Sequence, residues 1–229
     1  MDPFLRTRWL IGTKAVNRLQ QMRVAVFGVG GVGGFCIEAL ARAGVGALDI
    51  VDYDRVDVTN INRQIIATTE TVGELKVDVM KERLASVVPE TDVRTYPIMF
   101  NEEDADKINF GDYDYVVDAV DQVTAKLLII EKAQADGVPV LSAMGAGNKL
   151  HPEALEIAML SHTKVCPLAR VMRREMKKRG LDDFPVVYST EEPKKVEGID
   201  ERSPASISFV PSTAGLIAAS KVIRDLVRE

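Results

Sequence analysis

The sequence predicts a doubly wound, mainly parallel α/β sheet of Rossmann type, closed by antiparallel strands and helices toward the C-terminus. Three observations carry this expectation. Between about residues 20 and 147, short apolar runs of strand length alternate with longer helical patterns, and that alternation builds βαβ units around a parallel sheet. One strand-to-helix junction, "VFGVGGVGG" at 26–34, carries glycines at dinucleotide-fingerprint spacing. The chain has 229 residues of which 46% are hydrophobic, enough for one sizeable soluble core.

Residues 11–21, "IGTKAVNRLQQ", have the period of an amphipathic helix, and 23–27 form the first strand. After the glycine loop a helix runs to about Ala43, where Gly44 and Gly46 stop it. The second strand, "ALDIVDYD", ends in acids and opens into a polar loop, "RVDVTNINRQ". "GELKVDVMKERLASVV" is a helix closed by Pro89; "DVRTYPIM" and "YDYVVDAV" are strands. "TAKLLIIEKAQADG" is a helix and "VPVLSAMG" a buried strand. Beyond it, "LHPEALEIAMLSHT" predicts a hairpin or antiparallel pair, 167–180 a helix, and "DDFPVVYSTEEPKKVEGIDERSP" a short strand with a charged, mobile loop. A last strand, "SISFV", and a helix from about 212 complete the expectation.

Composition excludes several classes. The net charge of -5 gives no global field for nucleic acid, so such a partner needs a local patch. Only two cysteines occur, Cys36 and Cys166, which excludes a disulfide framework and a four-cysteine zinc site. "MDPFLRTRWLIG" lacks the basic and apolar regions of a signal peptide. The apolar C-terminal stretch is broken by Lys221, Arg224 and Asp225, so no membrane span and a cytoplasmic location are expected.

Gly28, Gly30 and Gly33 fit a loop that holds phosphate against backbone N–H groups at a helix N-terminus. Asp52, at the end of the second strand, suits a ribose, which NAD and ATP share. The polar loop favours the triphosphate. Asp54, Asn60, Asn62, Arg63 and Gln64 follow a strand's carboxyl end, and Lys76 stands roughly a turn into the next helix. Nicotinamide chemistry has no need of two cations there, whereas Arg and Lys stabilise the charge that grows on departing pyrophosphate. Asp118 or Asp121 in "VVDAVDQ" suits Mg²⁺. Taken singly, the asparagines read as turn formers and Arg63 and Lys76 as solvated surface. Together on one sheet edge they read as a site.

Four motifs in order, "GVGGVG", "VDYDRVDVTNINRQ", "GELKVDVMKERL" and "VVDAVDQVTAK", resemble the adenylating family of ThiF, MoeB and the ubiquitin-activating enzymes. "RTRWLIG", "PLARVMRREMKKRGL", "PVVYSTEEP" and "SFVPSTAGLIAASKVI" are similar to its tRNA threonylcarbamoyladenosine dehydratase branch. The resemblance implies one adenylation domain: a helical arm at 1–22, a nucleotide-binding core at 23–147 and an extension at 148–229. It implies ATP and Mg²⁺, with Gly28, Gly30, Gly31 and Gly33 around the phosphates and Asp52 on ribose. Asp54 joins this nucleotide set; Asn60, Arg63 and Gln64 would face the triphosphate, Lys76 would neutralise the transition state and Asp121 would hold Mg²⁺. It further implies a homodimer in which Arg6, or else Arg8, reaches the neighbouring subunit's site, with a sulfur-relay protein as a candidate partner. The family's zinc cysteines are missing, Cys166 replaces an aspartate before Pro-Leu, and Lys126 stands where relatives often carry arginine.

That branch acts on tRNA, a large polyanion. In the helix at 167–180, Arg170, Arg173, Arg174 and Lys177 follow helical spacing on one face, opposite Leu168, Val171, Met172 and Met176. Such a stripe reads equally as a phosphate track or as a solvated face. Cys166 reads only weakly as an acyl-accepting nucleophile, Cys36 reads as core, and His151 and His162 lack ligand spacing. A ubiquitin-like sulfur carrier, activated at its C-terminus, is the rival substrate.

Overall fold

The structure is a computed structural model that describes residues 2–195 and 204–228. Seven strands form one sheet: β1 (Arg23–Phe27), β2 (Ala47–Val51), β3 (Asp92–Tyr96), β4 (Tyr115–Asp118), β5 (Val140–Ala143), β6 (Leu155–Met159) and β7 (Pro185–Ser189). Their order is β3-β2-β1-β4-β5-β7-β6, all parallel except the β6–β7 pair. Strand order reverses between β1 and β4, and α/β sheets bind ligands in the crevice beyond the carboxyl ends at such a point.

Helices cover both faces. Val24 and Val26 of β1 join the core beneath α2 (Thr13–Leu19), α3 (Gly33–Ala43), α4 (Lys76–Val87) and α7 (Phe209–Leu226). Ala25 and Phe27 point the other way, to a second core under α5 (Val123–Ala135) and α6 (Pro167–Arg179). A strand buried on both faces has no polar side to show, hence the unbroken apolar run in β1. Gly215 lets α7 close on α3: a Cβ there would lie 2.3 Å from the Val32 carbonyl oxygen.

Three expectations change. The helix expected at 11–21 is the shorter α2, and a further helix, α1 (Leu5–Ile11), precedes it and ends at Gly12, which sits at φ 90°. The 155–159 strand pairs with β7 rather than within a local hairpin, between short 3₁₀ turns at Pro152–Ala154 and Leu160–His162. "SISFV" is not a strand: α7 already starts at Phe209, with Pro211 in its first turn, where the missing N–H loses no helical bond. The preceding backbone is held by loop contacts instead, as Ala205 pairs with Asn148 and the Ser206 carbonyl accepts from Asn62. Within the charged loop expected at 190–204, residues 196–203 lie outside the described residues. No helix among the described residues is long and apolar enough to cross a membrane.

Candidate nucleotide-binding site

The glycine loop leaves β1 at the switch point. Gly28 donates its N–H to the Val51 carbonyl at 2.7 Å, and Ala119 donates to Phe27 at 2.8 Å, so the loop is tied to both neighbouring strands. Gly28 has φ 93°, and a Cβ there would lie 2.7 Å from the Ala119 carbonyl oxygen. At Gly33 a Cβ would overlap the Gly28 carbonyl oxygen at 1.8 Å. Gly30 meets nothing within 4 Å, and Gly31 packs near Arg63 and Pro211. The helix that follows, α3, has no side-chain cap. The Gly34 N–H donates to the Gly30 carbonyl at 3.0 Å, while those of Gly33 and Phe35 make no hydrogen bond among the described residues and lie at the positive end of the helix dipole, an arrangement suited to phosphate.

Acids and cations that follow the ends of β2 and β4 flank this loop. Asp52 accepts from the Val29 N–H at 2.6 Å and the Asp54 N–H at 2.8 Å, so it fixes the glycine loop from the end of β2. Burial raises its pKa, an effect that Lys76 and these N–H donors oppose. Lys76, 5% exposed, donates to Asp54 at 2.7 Å. Arg63 donates through Nη1 to the Thr59 carbonyl at 2.8 Å and to Asn62 at 3.0 Å. Asp121 is exposed and makes no hydrogen bond among the described residues, which suits it to a cation brought in with nucleotide. Tyr53 and Gln122 bridge the β2 and β4 ends at 3.5 Å. Burial first, then the carboxylates of Asp54, Asp121 and Asp52, raise the Tyr53 pKa.

Two loop residues have local duties. Asn60 Oδ1 accepts from the Asp57 N–H at 3.2 Å and closes a capping box around the Val58–Asn60 turn. Gln64 is buried, and its Oε1 has no hydrogen-bond partner among the described residues. A phosphate has no proton to offer that oxygen, so only the amide Nε2 could serve a triphosphate.

Asp118, the alternative acid for Mg²⁺, is fully buried and committed to the fold. It accepts from Lys126 at 3.0 Å, from the Ser142 hydroxyl, and from the Val120 N–H at 3.1 Å. Lys126 also donates to Ser142 at 3.2 Å and to the Ala143 carbonyl at 2.7 Å. This network ties β4, β5 and α5 beneath the loop that carries Asp121. From sequence, Lys126 stands out only as a departure from its relatives, and Ser142 and Lys149 do not stand out at all. A strand-terminal Asp followed eight positions later by Lys is the available signal for the first. Nothing distinguishes Lys149 from an ordinary loop lysine.

The more distant expectations divide. Arg8 is held by Asp2, Asn17 and Gln20, whereas Arg6 is exposed and makes no hydrogen bond among the described residues. On α6, Arg170, Arg174 and Lys177 are exposed, but Arg173 turns inward to the Thr163 carbonyl at 3.0 Å and to its hydroxyl. The buried face is Ala169, Met172 and Met176. Cys166 is 2% exposed, too buried to accept an acyl group without rearrangement. Cys36 is core, its thiol pushed up to about 12 by burial.

The ThiF family profile matches residues 5–228. The chain belongs to the ThiF family. A tRNA threonylcarbamoyladenosine dehydratase of Bacillus subtilis is 40% identical over 246 residues, covering 100% of this chain and 96% of that protein. The crystal structure of Escherichia coli tRNA N6-threonylcarbamoyladenosine dehydratase in complex with ATP superposes with a TM-score of 0.90 at 31% identity, covering 98% of this chain and 93% of that one. A sulfur carrier protein adenylyltransferase of Thermus thermophilus is 38% identical over 131 residues, or 57% of this chain and 48% of that protein. The likeness to the dehydratases thus extends through the C-terminal third, where α6, β7 and α7 lie. The adenylyltransferase match covers a shorter stretch.

Proposed function

We propose that this ThiF-family chain is an ATP-dependent dehydratase that cyclises threonylcarbamoyladenosine in tRNA. The observation that carries the reading is the convergence, at one switch point, of an uncapped helix N-terminus, Lys76, Arg63 and the unpartnered carboxylate of Asp121. The full-length likeness to dehydratases, one of them solved with ATP, supports it.

The substrate carboxylate attacks the α-phosphorus of ATP. An oxygen–phosphorus bond forms, the bond to the β-phosphate oxygen breaks, and pyrophosphate leaves with the electron pair. Lys76 exchanges Asp54 for a phosphate oxygen, Arg63 turns from Thr59 to the departing pyrophosphate, and the α3 N–H groups hold the remaining oxygens. Asp121 would hold Mg²⁺, which would screen the phosphate charge. A carbamoyl nitrogen of the same substrate then attacks the acyl carbon, losing its proton; the ring closes and AMP departs. Holding both reactants in line is the larger part of the task.

The enzyme works in this reading as a cytoplasmic homodimer, with Arg6 reaching across to the partner's phosphates. The exposure of Trp9 at 73% and Leu10 at 85% beside it supports a covered arm. So does an apolar groove of about 310 Å³ between α3 and α7, lined by Ala39, Leu216 and Ile223. Exposed Arg170, Arg174 and Lys177 supply a track for the tRNA backbone, and a sulfur-relay protein is a candidate partner.

The test is incubation with Mg-ATP and tRNA carrying threonylcarbamoyladenosine, followed by nucleoside mass spectrometry. The expected product is lighter by one water and appears with AMP. The partial match to a sulfur carrier adenylyltransferase supports a second reading. An unchanged nucleoside, together with pyrophosphate exchange that depends on a carrier protein ending in Gly-Gly, would transfer the function to that reading.

A further inference from the structure

Beside the nucleotide site lies a cation that the adenylation chemistry leaves unused. Lys149, in the loop that leaves β5, is 4% exposed. Its ammonium has three protons to donate but makes one hydrogen bond among the described residues, to the Glu191 backbone carbonyl at 3.1 Å. The Glu191 carboxylate is turned to the N–H groups of Leu150 and His151. Burial pulls the Lys149 pKa down, with Cys166 and Glu191 offsetting part of that effect. A buried cation with one neutral partner is unfavourable until a further acceptor arrives.

Lys149 lines a cavity of about 210 Å³, whose walls include Asn148, Leu150, Lys194, Ser206 and Ile207. No carboxylate side chain lies on these walls among the described residues. The walls are fastened by Asn148, held at φ 59°. It exchanges two hydrogen bonds with Ala205, at 2.7 and 2.8 Å, and accepts from the Lys194 N–H at 2.7 Å. The cavity adjoins the nucleotide site through two bonds. Asn62 donates to the Ser206 carbonyl at 3.0 Å and accepts from Arg63 at 3.0 Å. The cavity's volume of about 210 Å³ is room for a threonine-sized group.

We propose that this cavity is an anion subsite in which Lys149 holds the carboxylate end of the acyl substrate beside the nucleotide. The carboxylate assignment rests on the adenylation reading; the anion subsite itself rests on the buried Lys149 ammonium, which has one hydrogen bond among the described residues, and on the cavity that Lys149 lines.

The test compares the full chain with its Lys149→Met variant, by calorimetric titration with N-carbamoyl-L-threonine and with inorganic phosphate, alongside KM values for ATP and for tRNA. The expected result is an affinity for N-carbamoyl-L-threonine that falls about tenfold or more in the variant, as for loss of a charge-assisted hydrogen bond. KM for the modified tRNA should rise by a similar factor, with KM for ATP unchanged. The variant should melt no lower than the parent, since it loses a buried, underpartnered charge. Loss confined to phosphate, with modified and unmodified tRNA weakened equally, would overturn the carboxylate assignment in favour of the tRNA backbone. Equal binding of both probes by the two chains, or a lower melting temperature as the only change, would overturn the subsite. If the wild-type chain binds N-carbamoyl-L-threonine through Lys149 yet never cyclises tRNA, the subsite stands and the functional reading fails.

Discussion

Lys126 shows how one side chain fixes a site it does not enter. Its ammonium is fully buried against Asp118, Ser142 and the Ala143 carbonyl, and Asp118 in turn holds the Val120 N–H one residue before Asp121. Lys126→Met removes one partner and strands the Asp118 carboxylate, a change that typically destabilises by about 3–5 kcal/mol. Adding Asp118→Asn removes the stranded charge and should restore much of the loss, because a missing buried pair is far less harmful than a broken one. Urea denaturation of the single and double variants checks both statements. A single variant as stable as the parent would mean that water reaches Asp118 and that the network does not position the Asp121 loop.

At the scale of elements, α6 carries the prediction about tRNA. Among the described residues its unpaired cations are Arg170 and Lys177, while Arg174 and Lys178 share Glu175, each at 3.0 Å, and Arg179 pairs with Glu131 at 2.9 Å. Reversing Arg170, Arg174 and Lys177 to Glu should weaken tRNA binding and reduce the slope of log K against log salt by roughly one for each phosphate that is no longer neutralised. Arg173→Ala should instead act on stability, since Arg173 is tied to Thr163. Filter binding across a salt series separates the two; an unchanged slope in the triple variant would remove α6 from the tRNA surface. Helical spacing puts Arg173 on the same stripe, because periodicity assigns a face and not a partner. The same limit applies elsewhere in the sequence. The parallel core and its glycine junction were legible, since β1 is apolar on both faces and α3 stops at a left-handed Gly44. The β6–β7 pairing was not, because an antiparallel partner some 30 residues away leaves no local period. "SISFV" misled for the opposite reason: it alternates like a strand while Val210 belongs to a helical face that begins at Phe209. Beside the glycine loop, Asp52 stands where its spacing put it, whereas Lys76 begins α4 instead of standing a turn inside it, and the burial of Lys149 depends on the Glu191 and Asn148 contacts made in three dimensions.

For the whole molecule, the question is whether one chain holds a complete site. Arg8 is bound within its own arm, so Arg6 is the arginine available to a neighbour. If Arg6 acts across a dimer, Arg6→Ala and Lys76→Ala should each reduce turnover by on the order of hundredfold or more, as for loss of a group that stabilises transition-state charge. Mixed together, the two inactive chains should regain activity. In a mixed dimer, the subunit that keeps Lys76 receives Arg6 from its partner and is complete, while the other subunit lacks both groups. Random exchange makes half the dimers mixed, so recovery should approach roughly a quarter of the wild-type rate. The two variants are exchanged by dilution and reconcentration, then assayed for AMP release. No recovery, with exchange verified by native mass spectrometry, would place Arg6 in its own subunit's site. The exposed Trp9 and Leu10 would then have to be explained by something other than a shared active site.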